Sequence, residues 1–358
     1  MKTVLQSPID LRFAKNRYKV KEITEIFRDK LEKDLREKYV DDLGVETVYK
    51  CFELEKDTKR QDFNIVDMYV DSIDETLKSS GKKKEDIGYL TTINDNPGRL
   101  TPSPGVEVIS RMGLNEDIET DNSQGLACSS FSRSLKNSWG YFQGWDGDSV
   151  IVSGSNYTDW FLSKFKEIGK VSDRNDLNYF NYFLMFSDTV SSVLAYNPRR
   201  HPSGSLISVD LDMMYTLKDN SLDGFKDRIA KLKESDHGFS VDMYVNSKKL
   251  REMCCRLSSK NVSRLNEKFP TEYESAKVRN LHTAGRKFLD EVRDACGVKE
   301  EEAKINYDVL KNTGNTGSCS SLQLIKESIS RDYVKRGEYG HMIDFGWEGA
   351  DSFLYRRT

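Results

Sequence analysis

An α/β fold built in two layered halves is what this sequence predicts, and three observations carry the prediction. Helix-period and strand-period segments alternate along the chain, the pattern of layered α/β proteins. The 358 residues exceed one ordinary domain of roughly 100–200 residues and suit two. The segment NPRRHPSG (197–204) places two prolines and a glycine between strand-like runs, a natural joint. That joint divides the chain into residues 1–198 and 199–358.

The elements follow in order. Ile23, Ile26, Phe27, Leu31, Leu35 and Tyr39 recur at helical spacing among charges, so 22–40 is expected to be an amphipathic helix. A second runs near 63–79, with Ile65, Met68, Tyr69, Ile73 and Leu77 on one side. After the GKKKED turn, IGYLTTIN (87–94) reads as a strand. GVEVISRMGL (105–114) reads as a helix ending at Gly113, and DIETD (117–121) as a short strand. A helix over 129–143 leads to the buried strand SVIVSGS (149–155). The Tyr-, Phe- and Asn-rich stretch 156–183 fits no element and is expected to be an insertion that shapes a pocket. Strands follow at 191–196 and 205–211, helices at 247–268, 284–296 and near 318–333, and two closing strands near 338–345 and 352–356. No short-period solenoid repeat is visible.

Composition narrows the classes of function. Hydrophobic residues at 37% and aromatics at 11% suffice to build cores. Lys and Arg number 55 against 58 acids, a net of −3, which gives no electrostatic reason to expect nucleic acid as a partner. No apolar run approaches the roughly 18–20 residues that span a bilayer. Pro8 and Asp10 interrupt the amino terminus before it could serve as a signal sequence. A soluble, cytoplasmic protein is the expectation. The six cysteines (Cys51, Cys128, Cys254, Cys255, Cys296, Cys319) and four histidines (His201, His237, His282, His341) are scattered, with no C-x-x-C pair. Neither a disulfide framework nor structural zinc fits that spacing.

Three residues sit where chemistry could happen. Cys128, in GLACSSFSRSL, falls between a strand-like segment and a helix. A thiol at a helix amino terminus feels the positive end of the dipole, so an enlarged thiolate fraction is expected; the plain alternative is a small buried cysteine. His282, in VRNLHTAGRKFLDEV, lies at the junction of a short apolar segment and a helix, where a capping or core-edge histidine is the more common case. Asn315, in KNTGNTGSCSSLQLI, is flanked by Gly314 and Gly317; the alternative is a loop asparagine in a left-handed conformation. Other motif matches carry nothing. Asp344-Phe345-Gly346 spells a kinase metal-binding triplet without the rest of the kinase set, and there is no G-x-G-x-x-G and no Walker A sequence. Asn156 and Asn261 match the glycosylation pattern without a secretory context.

Taken together, the order Cys, His, Asn and the contexts resemble the thiolase-fold condensing enzymes, in the branch of ketoacyl-ACP synthase III and type III (chalcone synthase-like) polyketide synthases. The resemblance runs from about residue 60 to the end. GLACSSF resembles the turn around the family's nucleophile, with Ala127 where glycine is usual. FSDTVSSVLAY (186–196) resembles the FGDGAGAVVL strand, with Ser187 and Thr189 replacing glycines. LHTAGRKFLDEV (281–292) is similar to HPGG-x-x-ILDAV of type III polyketide synthases, and GNTGSCSS (314–321) to the GNTSAAS and GNMSSAS loops. The end, YGHMIDFGWEGADSFLYRR, resembles a terminal strand pair around a GFGPG or GFGGG loop, with Trp347 and Glu348 in place of small residues.

The resemblance implies a thiolase-like fold of two similar α/β halves forming a five-layered αβαβα sandwich, dimeric through the first half, with the site between halves. It implies Cys128, His282 and Asn315 as catalytic residues, with no metal and no redox cofactor. Cys128 would take an acyl group from a CoA or acyl-carrier-protein thioester. His282 and Asn315 would stabilise the enolate formed when a malonyl thioester loses carbon dioxide. Two other readings stand beside this one: an acyltransferase passing the acyl group from Cys128 to a hydroxyl or amine, and a non-catalytic partner subunit of a synthase. Substrate identity rests on pocket shape, for which 156–183 and 212–245 are the candidate lining segments.

Overall fold

Along each central strand, alternate side chains enter two different cores, and that period-2 division defines the layers. In this computed structural model the described residues are 2–30, 42–54, 64–95, 102–124, 127–158, 161, 170–171, 174–200, 205–219, 228–235 and 238–358. Fourteen strands are seen among them. β1 (Thr3–Gln6), β2 (Asp10–Phe13), β3 (Asn16–Lys19) and β4 (Thr47–Lys50) precede β5 (Ile87–Asn94), β6 (Glu119–Gln124), β7 (Asp148–Ser155) and β8 (Thr189–Tyr196). β9 (Ile207–Lys218), β10 (Arg228–Ser235), β11 (Gly238–Val245), β12 (Arg279–Leu281), β13 (Tyr339–Phe345) and β14 (Gly349–Arg357) complete them. The helices are α1 (Val20–Ile26), α2 (Ile65–Ser80), α3 (Pro104–Met112), α4 (Phe131–Gly144), α5 (Arg174–Met185), α6 (Ser247–Lys268), α7 (Pro270–Ser275), α8 (Arg286–Ala295), α9 (Lys304–Thr313) and α10 (Ser320–Ser330).

The main sheet has the order β12-β13-β14-β9-β1-β8-β7-β5-β6, with β2 also on β8. Its two sides repeat one pairing scheme. In the first half β5 pairs parallel with β7, β7 antiparallel with β8, and β8 antiparallel with β1. In the second half β12, β13, β14 and β9 pair in the same sequence of senses. The halves meet where β1 pairs antiparallel with β9, Val4 opposite Val209.

Helices close the layers. Val150 and Val152 of β7 face a core with Ile65, Tyr69 and Ile73 of α2 and Val108 of α3, whereas Ile151 faces Phe131 and Leu135 of α4. That middle core also takes Leu322 and Ile325 of α10 and Met342 and Phe353 of the second half. On the far face, Leu281, Ile343 and Phe345 pack with Leu250 and Leu257 of α6 and Leu289 of α8. The stack is thus helix, sheet, helix, sheet, helix, and α4 and α10 form the buried middle layer. The thiolase-like five-layered sandwich expected from the sequence is the fold observed.

The α3 helix ends at Gly113 as expected, with φ 61°, a left-handed cap. Several other boundaries differ from expectation. The strand expected at 117–121 begins instead at Glu119 and runs to Gln124. The helix expected over 22–40 spans only Val20–Ile26 before a 3-10 turn at Arg28–Lys30; the rest of that expectation, with Leu31, Leu35 and Tyr39, lies outside the described residues. Within 156–183 the described part includes α5, whose helical period is hidden in the sequence by its run of Asn, Tyr and Phe. Within 212–245 β9 continues to Lys218, and β10 and β11 form a hairpin in register from Arg228↔Val245 to Ser235↔Gly238. No helix among the described residues is long and apolar enough to cross a membrane.

Candidate active site

Cys128 sits in a 3-10 turn, Ala127–Ser129, that feeds directly into α4. The turn is pressed against the loop between β13 and β14: a Cβ added to Gly346 would lie 3.2 Å from the Cys128 amide nitrogen and 3.5 Å from its Cβ. Any side chain at 346 would therefore push against the Cys128 turn. On its other side Gly346 offers its carbonyl to the Cys254 thiol at 3.6 Å.

His282 follows β12 directly. Its N–H donates to the Ile343 carbonyl at 3.0 Å, and the next turn folds back as Ala284 N–H donates to the His282 carbonyl at 3.0 Å. The imidazole is fully buried, edge-on to Phe345 with centroids 5.3 Å apart. Nδ1 lies 3.4 Å from Asp344 Oδ1, too far for a well-formed bond, and neither ring nitrogen has a hydrogen bond among the described residues. Burial lowers its pKa to about 3, so the imidazole is neutral at physiological pH.

Asn315 is held by its backbone. Its N–H donates to the Met185 carbonyl and its carbonyl accepts from Ser187 N–H, both at 2.8 Å, tying the loop to the end of α5. Oδ1 accepts the Gly317 N–H at 2.8 Å, which leaves the amide NH2 as the end free to act as donor. The flanking glycines are required. Gly314 and Gly317 have φ of 66° and 55°, and a Cβ on the first would collide with the Met185 carbonyl, on the second with Ser155 and Asp95.

The three residues expected from the sequence line one cavity of about 910 Å³. Its wall is mixed: Leu177, Asn178, Asn181 and Tyr182 of α5, Leu250 and Arg251 of α6, and Phe288, Phe345 and Trp347 from the second half. The pocket-lining role expected of 156–183 falls to α5, and among the described residues 212–245 contributes none of the lining.

One electrostatic expectation is overturned. Burial, reinforced by the Asp95 and Asp344 carboxyls, pushes the Cys128 thiol well above its ordinary value. The dipole argument fails because a 3-10 turn intervenes before α4 and desolvation of a buried thiolate outweighs a half-charge at the helix end. Cys319 and Cys296 are likewise pushed up to about 12 by burial. What sets Cys128 apart from these two is that it lines the cavity shared with His282 and Asn315.

Sequence reasoning missed several residues here. The triplet dismissed as an accidental kinase match lies at the centre of the site: Asp344 beside His282, Phe345 against its ring, Gly346 against Cys128. An aspartate inside the apolar strand HMIDF was the available signal. Asp344 accepts from Ser321 Oγ and from Phe345 N–H, the latter at 3.0 Å, and burial pushes its carboxyl well up. Asp95, at the end of β5, accepts from Ser318 N–H at 2.8 Å and from the Tyr157 hydroxyl; burial raises it to about 6. Among the described residues no cluster of His, Cys, Asp and Glu could hold a metal ion.

Comparison with known proteins finds relatives in sequence and in fold. No protein-family model matches the chain. A β-ketoacyl-[acyl-carrier-protein] synthase III of Lactobacillus helveticus is 21% identical over 283 residues, 78% of this chain and 80% of that protein. The synthase III of Clostridium perfringens is 20% identical over 292 residues, 80% and 82% of the two chains. In fold, a fungal type III polyketide synthase, ORAS, superposes with a TM-score of 0.82 at 13% identity, covering all of both chains. A variant of OleA from Xanthomonas campestris gives 0.79 at 13% identity, with 99% of this chain and 98% of that one covered. PKS-I of the brown alga Ectocarpus siliculosus gives 0.74 at 16%, with 99% of each chain covered. By its sequence relatives and its fold, the chain is similar to thiolase-fold condensing enzymes, ketoacyl-ACP synthase III and type III polyketide synthases among them.

Proposed function

We propose that Cys128, His282 and Asn315 are the catalytic set, and that they carry acyl transfer followed by decarboxylative condensation. One observation carries the reading: a fully buried imidazole with both ring nitrogens unpaired among the described residues shares a cavity with a cysteine and an asparagine amide. An unpaired buried polar group is costly, and a thioester carbonyl in that cavity would give it an acceptor.

Cys128 loses its proton to solvent, and the thiolate attacks the acyl carbon of a CoA or acyl-carrier-protein thioester. The donor's C–S bond breaks and its thiolate leaves, taking up a proton from solvent. A malonyl-type thioester then loses carbon dioxide; the electron pair of the broken C–C bond forms an enolate whose oxygen accepts hydrogen bonds from His282 and from Asn315 Nδ2. The enolate carbon attacks the acyl-cysteine, the acyl C–S bond breaks, and the released Cys128 thiolate takes up a proton from solvent. The cycle is redox-neutral and calls on neither a metal nor a redox cofactor. With the thiol held high and the imidazole held low, thiolate is scarce at neutral pH, so acylation should accelerate as pH rises.

The same reading takes 1–198 and 199–358 as the two halves, a homodimer as the working assembly and the cytoplasm as its place. Incubation with acyl-CoAs and malonyl-CoA tests the chemistry. An acyl adduct on Cys128 with carbon dioxide release supports it. An adduct without carbon dioxide release would leave only acyl transfer, and an adduct on another cysteine would overturn the assignment.

A further inference from the structure

Lys50 is the least expected buried group in the molecule. It ends β4, is 1% exposed, and sits in a fold where lysine is almost never buried without partners. Its ammonium donates to the carbonyls of Phe183 at 2.6 Å and Phe186 at 2.7 Å. It also lies 4.5 Å from the centre of the Phe183 ring. Those carbonyls are at the carboxyl end of α5, where a cation suits the dipole.

That end of α5 is also what holds Asn315. Asn315 bonds to Met185 and Ser187, the residues on either side of Phe186. The same segment is gripped from the other side by β4. Tyr49 N–H donates to Ser187 Oγ at 2.9 Å, Asp188 N–H to the Tyr49 carbonyl at 2.9 Å, and Cys51 N–H to Asp188 Oδ2 at 2.8 Å. Ser187 Oγ donates in turn to the Thr313 carbonyl. The stretch 183–188 is thus a splint, with Lys50 on one side and Asn315 on the other. A methionine would fill the same channel without the desolvation cost of an ammonium. Stability alone therefore does not account for the charge.

We propose that Lys50 is a positioning residue for condensation: its ammonium, by gripping the end of the pocket-lining helix, fixes the segment that aims the Asn315 amide into the cavity. This rests on the role given above to Asn315. Two groups bear electrostatically on Lys50, the Asp188 carboxylate and the Cys51 thiol; both favour the charge, but burial outweighs them and lowers its pKa to about 8. The grip should therefore loosen as pH rises through about 8. Its effect on folding stability runs the other way. Between about pH 8 and the ordinary lysine value near 10.4 the unfolded chain binds the extra proton, so this group's contribution to stability grows with pH. Activity and stability should part company across that window.

The experiment uses octanoyl-CoA to load Cys128, then malonyl-CoA in a single turnover of the isolated acyl-enzyme, from about pH 6.5 to 9.5. The wild-type extension rate should fall above about pH 8. Lys50→Met should load within about twofold of wild type, extend about tenfold or more slowly at pH 7, and show no fall across pH 8. Lys50→Arg, whose charge does not titrate, should keep more of the rate and also lose the fall. Hydrogen exchange at 183–188 and 313–317 supplies a readout independent of substrate, and Lys50→Met should speed it about tenfold. An unchanged pH fall in Lys50→Met, equal slowing of loading and extension, or unchanged exchange would each overturn the proposal. A wild-type enzyme that loads no acyl group on Cys128 would instead defeat the reading of the site, and the exchange measurement would still decide whether Lys50 holds the splint.

Discussion

Cys128 and Cys319 occupy matching places in the two halves. One lies in ACSSF and the other in SCSSL; each sits in a 3-10 turn, and each turn leads into a helix of the buried middle layer. Their surroundings differ. The Cys319 thiol is fully buried and donates to the carbonyls of Ser153 at 3.2 Å and Thr189 at 3.4 Å, plugged into the strands of the first half. Cys128 opens on the 910 Å³ cavity with His282 and Asn315. The repeat therefore supplies the same turn twice, and the chemistry is decided by what the turn faces. A position at a helix start, which Cys319 shares, does not by itself make a nucleophile.

Substitution of the two cysteines should break the symmetry most sharply. Cys128→Ala is expected to abolish the acyl adduct and reduce turnover at least about 1,000-fold, whereas Cys319→Ala should still acylate on Cys128; intact-protein mass spectrometry reads both. Next in size is the loss of an oxyanion donor. Asn315→Ala should keep the adduct while slowing condensation about 100- to 1,000-fold, which single-turnover decay of the acyl-enzyme would measure. Alkylation kinetics sharpen the comparison further. Because burial holds the Cys128 thiol above its ordinary value, thiolate is a minor form at pH 7, and its iodoacetamide rate should climb steadily as pH rises from 7 to 9. A rate already flat at pH 7 would refute that reading of the site. Cys319 should stay unmodified until the protein unfolds. The smallest effect is on stability: Cys319→Ala should cost about 1–2 kcal/mol by denaturant unfolding, through a small cavity and two lost thiol contacts.

The long periodic segments were legible in the sequence because burial on one face leaves a repeat that survives substitution: α2, α6 and the strands 87–94 and 149–155 lie close to where their apolar spacing put them. Strands of three or four residues such as β1, β4 and β12 leave no such repeat and were not legible. At the site, the order of Cys, His and Asn could be read because each carries its own local motif. Lys50 could not, and Asp344 was passed over although its apolar strand offered a signal. A charged residue in a strand normally reads as a solvent-facing position, and only the fold shows that one is set beside an imidazole and the other beneath a helix end.

The pairing of β1 with both β8 and β9 has a consequence for how the chain acquires its shape. Residues 3–6 occupy the middle of the sheet, yet their partners are Ala195, Tyr196 and residues 207–210. During synthesis at ~5–20 residues per second, that strand must wait on the order of 10–40 s before its neighbours emerge. Such a distant closure makes assembly slow compared with folds of local contacts. The sheet's centre is therefore the last part of the first half to be completed, and an exposed β1 edge during that interval is the point at which newly made chains would be most prone to pair with one another.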